Sequence, residues 1–391
     1  MDRETIKYAA ETYGTPAYIF DFDILKNRIE YLNEILGKHA ELCFAMKANP
    51  FLAKPLSKLT ERLEVCSPGE FSVCVKSEIP MKQLVISGVY KSEKDTAMMI
   101  EKYPDIGIYT AESIGQWELL KKYSQVYERE IKVLLRLTSG NQFGMTKDEI
   151  KEIISAPHPF AHICGIQYFS GTQKTSLKRL TRETEKLSEF LSELKTQCGF
   201  VPEELEYGPG LPVSYFREDK EFNESEFLSE FANLLGSIDF DGKIILELGR
   251  FIAASCGIYI TKAVDIKSNR GQTYCITDGG MNHISYYGQS MAMKIPYMET
   301  LPDRTGEEQS ITICGALCTV NDILVKQFPV SEIHKGDVFV FKNTGAYCMT
   351  EGISLFLTRA LPKILGYSKE SGFFVIRDEI ATDFLNTSNI N

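Results

Sequence analysis

The sequence is poor in the residues that build metal and redox centres. It holds one tryptophan and five histidines, and its ten cysteines are scattered singly with no C-x-x-C pair. Without paired thiols or histidines at ligand spacing, no metal is expected and the cysteines read as reduced, mostly core thiols. No stretch approaches the ~20 apolar residues that a membrane-crossing helix requires. The N-terminal MDRETIKYAAETYGTP carries charges where a secretory signal would carry an apolar core, so a cytoplasmic location and no membrane partner are expected. Positive charge is also in short supply. The 43 basic and 53 acidic residues leave a formal charge of −10, which repels phosphate backbones and argues against a nucleic-acid partner. Internal repeats and low-complexity tracts are lacking too, which excludes a solenoid or a disordered tether.

What the chain does have is apolar material, 43% of its residues, over a length that suits one barrel-sized domain and a smaller companion. Eight short runs rich in β-branched and aromatic residues recur between helical patterns, at 41–47, 63–67, 84–88, 106–110, 132–137, 165–171, 205–209 and 244–249. The clearest helix spans 181–199, where Leu187, Phe190, Leu191 and Leu194 fall on one face ahead of Gly199. Eight strand–helix units over about 225 residues match the usual size of a (β/α)8 TIM barrel, and their near-continuous apolar strands suit a parallel sheet covered on both faces. After about residue 265 the texture changes to strands joined by turns. The expected fold class is therefore α/β: a barrel over residues 26–265, and a β-rich domain built from 266–391 with the N-terminal 1–25, whose strand AYIFDFD lies outside the barrel count.

Barrels of this kind place their chemistry at the C-terminal ends of the strands, and here those ends are polar. The first strand closes on Lys47 in CFAMKANPFL, with Pro50 expected to keep a helix from starting early. A lysine inside a barrel mouth must be neutralised, paired or covalently used, and a Schiff base meets that need, although an isolated lysine there is ordinarily a solvated rim residue. The seventh strand gives way to Gly208-Pro209-Gly210, and ELGR at the end of the eighth adds Gly249 and Arg250. Such backbone and a guanidinium can hold one phosphate, while each piece alone is a plain turn. Glu247 is an acid on an otherwise apolar strand, and its partner is either a protonated pyridine nitrogen or one of Arg136 and Arg250. A lysine, a phosphate cradle and an acid for a ring nitrogen together describe pyridoxal 5'-phosphate.

On these residues the chain resembles the fold type III pyridoxal-phosphate enzymes, with an alanine racemase-like barrel, and specifically the ornithine/diaminopimelate decarboxylases. The motifs that carry the resemblance are FAMKANP, EVCSPGE, LVISG, RLTSGNQFGM, GIQYFSGTQ, YGPGLP, ELGR, TDGGMN, GALCTVND and NTGAY, which span nearly the whole chain. The resemblance implies Lys47 as the Schiff-base lysine, Glu247 as the partner of the pyridine nitrogen and Arg136 near the ring. It implies a phosphate site from Gly208, Gly210, Gly249 and Arg250, closed by Thr172 and Tyr347. It also implies a homodimer with shared active sites, in which Cys318 of GALC reaches a neighbour's cofactor and returns a proton to the substrate carbon. Taken alone, Cys318 would be an ordinary core thiol.

Three departures bear on substrate and tuning. Phe169 stands where the family typically has a histidine against the ring, so a flat face is kept and a titratable group is lost. Thr319 follows the cysteine where ornithine and diaminopimelate decarboxylases carry an acid for the distal ammonium. Ornithine, lysine and diaminopimelate are then poor substrates unless Asp322 takes over that charge. TDGGMNH lacks the arginine that diaminopimelate enzymes use, and its wording is similar to siderophore and secondary-metabolite relatives that act on conjugated or carrier-tethered amino acids. Asn282 and His283 are its candidate substrate contacts, against a structural reading of both. The expected reaction is decarboxylation at Cα, giving CO2 and an amine. The alternatives are a diaminopimelate-, ornithine- or lysine-type decarboxylase with altered distal recognition, an amino-acid racemase, and a non-catalytic pyridoxal-phosphate-binding protein. Cysteine in place of a racemase's tyrosine, and over 120 residues beyond the barrel, count against the last two.

Overall fold

The computed structural model describes residues 1–220 and 222–388. The chain divides into two units, one of Arg28–Pro212 and Phe222–Ile252, the other of Met1–Asn27, Val213–Glu221 and Ala253–Asn391. The seams expected after residues 25 and 265 move to 27 and 252. Residues 257–265 belong to one unbroken thirteen-residue strand, Gly257–Asn269, which a boundary at 265 would cut. Residues 389–391 of the expected β domain lie outside the described residues.

The first strand, β1 (Ala17–Asp21), belongs to the second unit. The next eight are β2 (Glu41–Ala45), β3 (Arg62–Val65), β4 (Leu84–Ile86), β5 (Ile108–Ala111), β6 (Ile131–Leu137), β7 (Ala161–Phe169), β8 (Glu204–Gly208) and β9 (Lys243–Leu248). They pair in parallel and in sequence order, and β9 returns to β2 to close the barrel. All eight expected strands are present, each within a few residues of its expected place.

Local chemistry explains the connections. The helix Leu177–Cys198 buries Leu180, Leu187, Phe190, Leu191 and Leu194, and it stops at Gly199, whose φ of 64° is left-handed backbone that glycine adopts without strain. In EVCSPGE, Ser67 caps the helix Pro68–Lys76 by accepting from the Glu70 N–H at 3.1 Å, and Glu70 in turn accepts from the Cys66 N–H at 2.6 Å. Pro50 acts differently from expectation. It opens a 3-10 turn, Pro50–Leu52, which Asn49 caps by accepting from the Phe51 N–H at 3.1 Å.

In the second unit β1 runs antiparallel to β10 (Gly257–Asn269) and parallel to β16 (Lys363–Ser368). The remaining strands are β11 (Gln272–Thr277), β12 (Met298–Leu301), β13 (Gln309–Cys314), β14 (Ile323–Val330), β15 (Val338–Phe341) and β17 (Gly372–Arg377). The main path runs β14-β13-β11-β10-β1-β16-β17, with β15 also on β10 and β12 on β15. Ile6, Ala9, Ala17, Ile19, Ile260, Val340 and Leu365 form a buried core on this sheet. The N-terminal segment is thus a central strand of the β unit.

Candidate active site

Alternate residues of a strand share a face, so Arg62 with Glu64, Gln167 with Phe169, and Glu204 with Glu206 and Gly208 each form one row. Arg62 on β3 reaches Glu204 on β8 with two bonds of 3.0 and 2.6 Å, although β2 and β9 stand between those strands. These rows therefore face the barrel interior. Elsewhere the interior is apolar, with Val85, Ile108, Leu134 and Cys164 packed together.

Lys47 lies in the 3-10 turn Met46–Ala48, directly past the end of β2. Its Nζ bonds to Glu64 and donates to Glu247 Oε1 at 3.0 Å, with Cys66 Sγ 3.8 Å away. The lysine side chain is 37% exposed, whereas those of Glu64 and Glu247 are 3% and 7% exposed. An amine open to solvent thus rests on two buried acids at the barrel mouth. Burial opposes ionisation of Glu64, but the Lys47 ammonium and the hydrogen bonds it receives hold its carboxyl below the usual range. Glu247 goes the other way. Burial and the Glu64 carboxylate push it up to about 7, against the pull of Lys47. Glu247 is then the acid that keeps a proton and Glu64 the one that loses it.

A layer deeper, Gln167 Nε2 donates to Glu206 Oε1 at 2.9 Å and to Glu247 Oε2 at 3.4 Å. Arg136, expected near the ring, is paired with Glu112 at 3.0 Å and lies over the Phe143 ring, 5.1 Å from its centroid. The cation on Glu247 is Lys47, a partner not among those expected from the sequence. Glu64, Glu206, Gln167, Arg62 and Glu112 were not singled out from the sequence, although the i, i+2 spacing of Arg62 with Glu64 and of Glu204 with Glu206 was there to be seen.

The expected phosphate cradle can be judged by the space around its glycines. A Cβ on Gly210 (φ 64°) would stand 2.0 Å from the Gly171 carbonyl oxygen and 3.0 Å from Thr172 Cα. The loop after β8 thus lies backbone to backbone on the SGTQ turn after β7, and the Lys174 N–H donates to Gly210 O at 2.9 Å. Beneath that turn, Glu183 accepts from Ser170 Oγ at 2.6 Å, Lys174 Nζ at 2.7 Å and Tyr207 OH at 2.8 Å. Phe169 packs its ring directly on Gly208, where a Cβ would come within 2.6 Å of it. Gly249 and the buried Arg250 follow β9. These close backbone approaches, with an amine beside a proton-holding acid, fit a phosphate-bearing aldehyde with a basic ring nitrogen.

The remaining candidates lie in the sheet unit. Cys318 is exposed, and Val320 nearby is 89% exposed. Asp322 is buried, and its two oxygens accept from the Met281 N–H at 2.8 Å and the Leu317 N–H at 2.7 Å. It knits the GALC loop to the TDGGMN loop. His283 is also buried: Nε2 lies 2.9 Å from Ala360 O and Nδ1 3.3 Å from Tyr259 OH. Both ring nitrogens are engaged within the unit, an arrangement of a structural histidine. Asn282 is buried beside it, Thr319 is half-buried, and Tyr347 sits at a φ of 65°.

The family model described as "Pyridoxal-dependent decarboxylase, C-terminal sheet domain" matches residues 17–345. The chain is 27% identical to a diaminopimelate decarboxylase of Aquifex aeolicus, covering 88% of this chain and 84% of that protein. It is 24% identical to an L-glutamyl-[BtrI acyl-carrier protein] decarboxylase of Niallia circulans, covering 100% of this chain and 98% of that protein. The crystal structure of a diaminopimelate decarboxylase from M. jannaschii superposes with a TM-score of 0.86 at 22% identity, over 98% of this chain and 94% of that one, a likeness of fold.

Proposed function

The chain belongs to the pyridoxal-dependent decarboxylases, and from that premise we propose how its residues divide the work and which amino acids it accepts. It uses pyridoxal phosphate and removes CO2 from Cα of an amino acid or amino-acid conjugate, leaving an amine. The cofactor, when bound, supplies the sink for the electron pair left as the carboxylate departs.

Lys47 is the amine that would hold the cofactor covalently. Glu64 keeps the lysine ammonium at the mouth. Glu247 faces the pyridine nitrogen, and Phe169 offers the ring a flat apolar face. Gly208, Gly210, Gly249, Arg250 and Thr172 hold the phosphate, and Arg136, fixed by Glu112, flanks the ring. A proton from Cys318 Sγ or Lys47 Nζ returns to Cα. The enzyme is a homodimer in which each Cys318 serves the partner's cofactor. The exposure of Cys318 and of Val320, at 89%, supports a surface that a second copy covers. Mixed dimers of Lys47→Ala and Cys318→Ala chains test this, since recovered activity requires shared sites.

The substrate reading rests on Asp322. Thr319 is neutral, and Asp322, the one acid between Gly315 and Asp322, spends both oxygens on backbone N–H groups. A distal ammonium finds no carboxylate in this loop. The substrate therefore has an uncharged or conjugated distal end, including amino acids tethered to a carrier protein. Losing one partner of a buried ion pair costs about 3–5 kcal/mol, so free lysine, ornithine and diaminopimelate should show kcat/KM at least ~100-fold below the preferred substrate. A CO2-release panel of free basic amino acids, amide-conjugated amino acids and carrier-bound glutamyl groups tests it. Full turnover of free diaminopimelate, ornithine or lysine overturns it.

A further inference from the structure

Behind Glu247 the barrel holds a second acid to which the roles above give nothing to do. Glu206 is fully buried on β8 and stands in register with Gln167 on β7. The Gln167 carboxamide donates one N–H to Glu206 Oε1 at 2.9 Å and reaches Glu247 Oε2 at 3.4 Å. Two atoms of this group are left over. Gln167 Oε1 and Glu206 Oε2 are both buried without a hydrogen-bond partner among the described residues. They belong to the same two side chains that the 2.9 Å bond already joins.

An ionised carboxylate has only acceptors, so it leaves both oxygens unsatisfied. A carboxylic acid has one O–H. A proton on Glu206 Oε2 gives Gln167 Oε1 its donor, and the acid and carboxamide then meet through two complementary hydrogen bonds. The surroundings favour the neutral form. Glu247 on β9, Glu64 on β3 and the Cys43 thiol on β2 face Glu206 and add no positive charge. Arg62 Nη1 is 3.8 Å from Glu206, but its guanidinium is committed to Glu204 by two shorter bonds, and Lys47 rests on Glu64 and Glu247. Burial first, then the neighbouring acids Glu247 and Glu64, push Glu206 up to about 8.

We propose that Glu206 is a positioning residue for the cofactor contact: held as a neutral acid, it locks the Gln167 carboxamide, whose second N–H then fixes the Glu247 carboxyl that faces the pyridine nitrogen. This rests on the assignment of Glu247 to that nitrogen. The arrangement braces Glu247 without setting another negative charge behind it, and it reads as a hydrogen-bonded carboxyl, amide, carboxyl chain running from the barrel interior to its mouth.

The test uses pH-difference infrared spectra of the unloaded full-length protein, which report protonated buried carboxyls directly. At neutral pH one protonated-carboxyl stretch should vanish in Glu206→Gln. Cutting the link with Gln167→Leu removes a donor to the ionised form of Glu247, so the Glu247 titration should move upward. Glu206→Leu should move it the same way, and Glu206→Gln, which can keep both bonds to the carboxamide, should restore it. An unchanged stretch in Glu206→Gln, or a Glu247 titration that ignores Gln167→Leu, overturns the proposal. Should Glu206→Leu not fold, the Glu206→Gln spectrum decides alone. Glu247→Gln, assayed for CO2 release with cofactor, separates the premise from the inference. Undiminished release refutes the Glu247 assignment, whereas lost release with an unchanged Glu206→Gln spectrum refutes only the role of Glu206.

Discussion

Replacing Gly210 with alanine should cripple cofactor binding while leaving the barrel folded. The residue sits at a φ of 64°, where an L side chain costs about 1–2 kcal/mol. The added Cβ would lie 2.0 Å from the Gly171 oxygen, 2.9 Å from its carbon and 3.0 Å from Thr172 Cα. All three are backbone atoms, so no rotamer change relieves the clash and the SGTQ turn must move. Overpacking of this kind typically costs about 1–3 kcal/mol. If the turn yields, the combined ~2–5 kcal/mol appears as weaker cofactor affinity, roughly 30-fold to a few thousand-fold in Kd. An absorbance titration of the unloaded protein with pyridoxal phosphate measures it, alongside thermal denaturation to confirm the fold. Gly199→Ala is the matched control: Gly199 has the same φ of 64°, but nothing lies within 4 Å of its Cβ position. It should lose about the same left-handed strain energy in stability and nothing in affinity. If Gly210→Ala binds the cofactor as tightly as Gly199→Ala, the backbone contact after β7 and β8 does not shape the phosphate site.

Two further outcomes concern the charges in the barrel. Arg62→Met strands the buried Glu204 carboxylate and should cost about 3–5 kcal/mol in urea unfolding, most of it recovered in Arg62→Met/Glu204→Leu, where no charge is left alone. A single variant as stable as the parent would show that the pair is not desolvated. Stability should also depend on pH in an unusual direction. The raised carboxyls of Glu206 (about 8) and Glu247 (about 7) keep protons that the unfolded chain has released. The unfolded state then binds fewer protons, so their contribution to stability is fullest below about pH 4.5 and falls as pH rises toward 7 to 8, by up to ~1.4 kcal/mol per pH unit for each acid. The lowered Glu64 works oppositely and only at acid pH. Urea midpoints of the unloaded protein between pH 5.5 and 8 check this. The Glu206→Gln variant should show a shallower fall, and an identical slope would rule out Glu206 as a proton holder.

The barrel was legible in the sequence because its strands are buried on both faces and its helices on one, two periods that differ along the chain. Lys47 and Glu247 stood out for the same reason, as charges where apolar residues belong. The logic applied equally to Glu64 and Glu206, yet each passes for a lone acid in LEVCS or LEYGP. Their meaning depends on register around the closed barrel, which no local pattern carries. Arg62 and Glu204 are 142 residues apart on strands that are not neighbours. In the sheet unit the fold adds partners that the loop sequence does not show. His283 and Asp322 look like substrate contacts in a polar loop, and only the fold reveals that Tyr259, Ala360, Met281 and Leu317 already occupy them.

Register also makes the interior a problem in charge balance. Glu64, Glu204, Glu206 and Glu247 draw on two cations, Lys47 and Arg62, while Arg136 pairs with Glu112 and the buried Lys91 lies within reach of Glu112 and Glu64. Burial and mutual repulsion make it costly for all four of these acids to ionise together. Arg62 commits to Glu204 and Lys47 draws Glu64 below its usual range, whereas burial and the neighbouring acids push Glu206 up to about 8 and Glu247 up to about 7. A cationic ring nitrogen against Glu247, as proposed, would add a positive charge at the mouth. On that proposal Glu247 would ionise, while Glu206, paired to Gln167, would keep its proton. The acid proposed to meet that charge, Glu247, is the one whose raised carboxyl touches both Lys47 and Gln167.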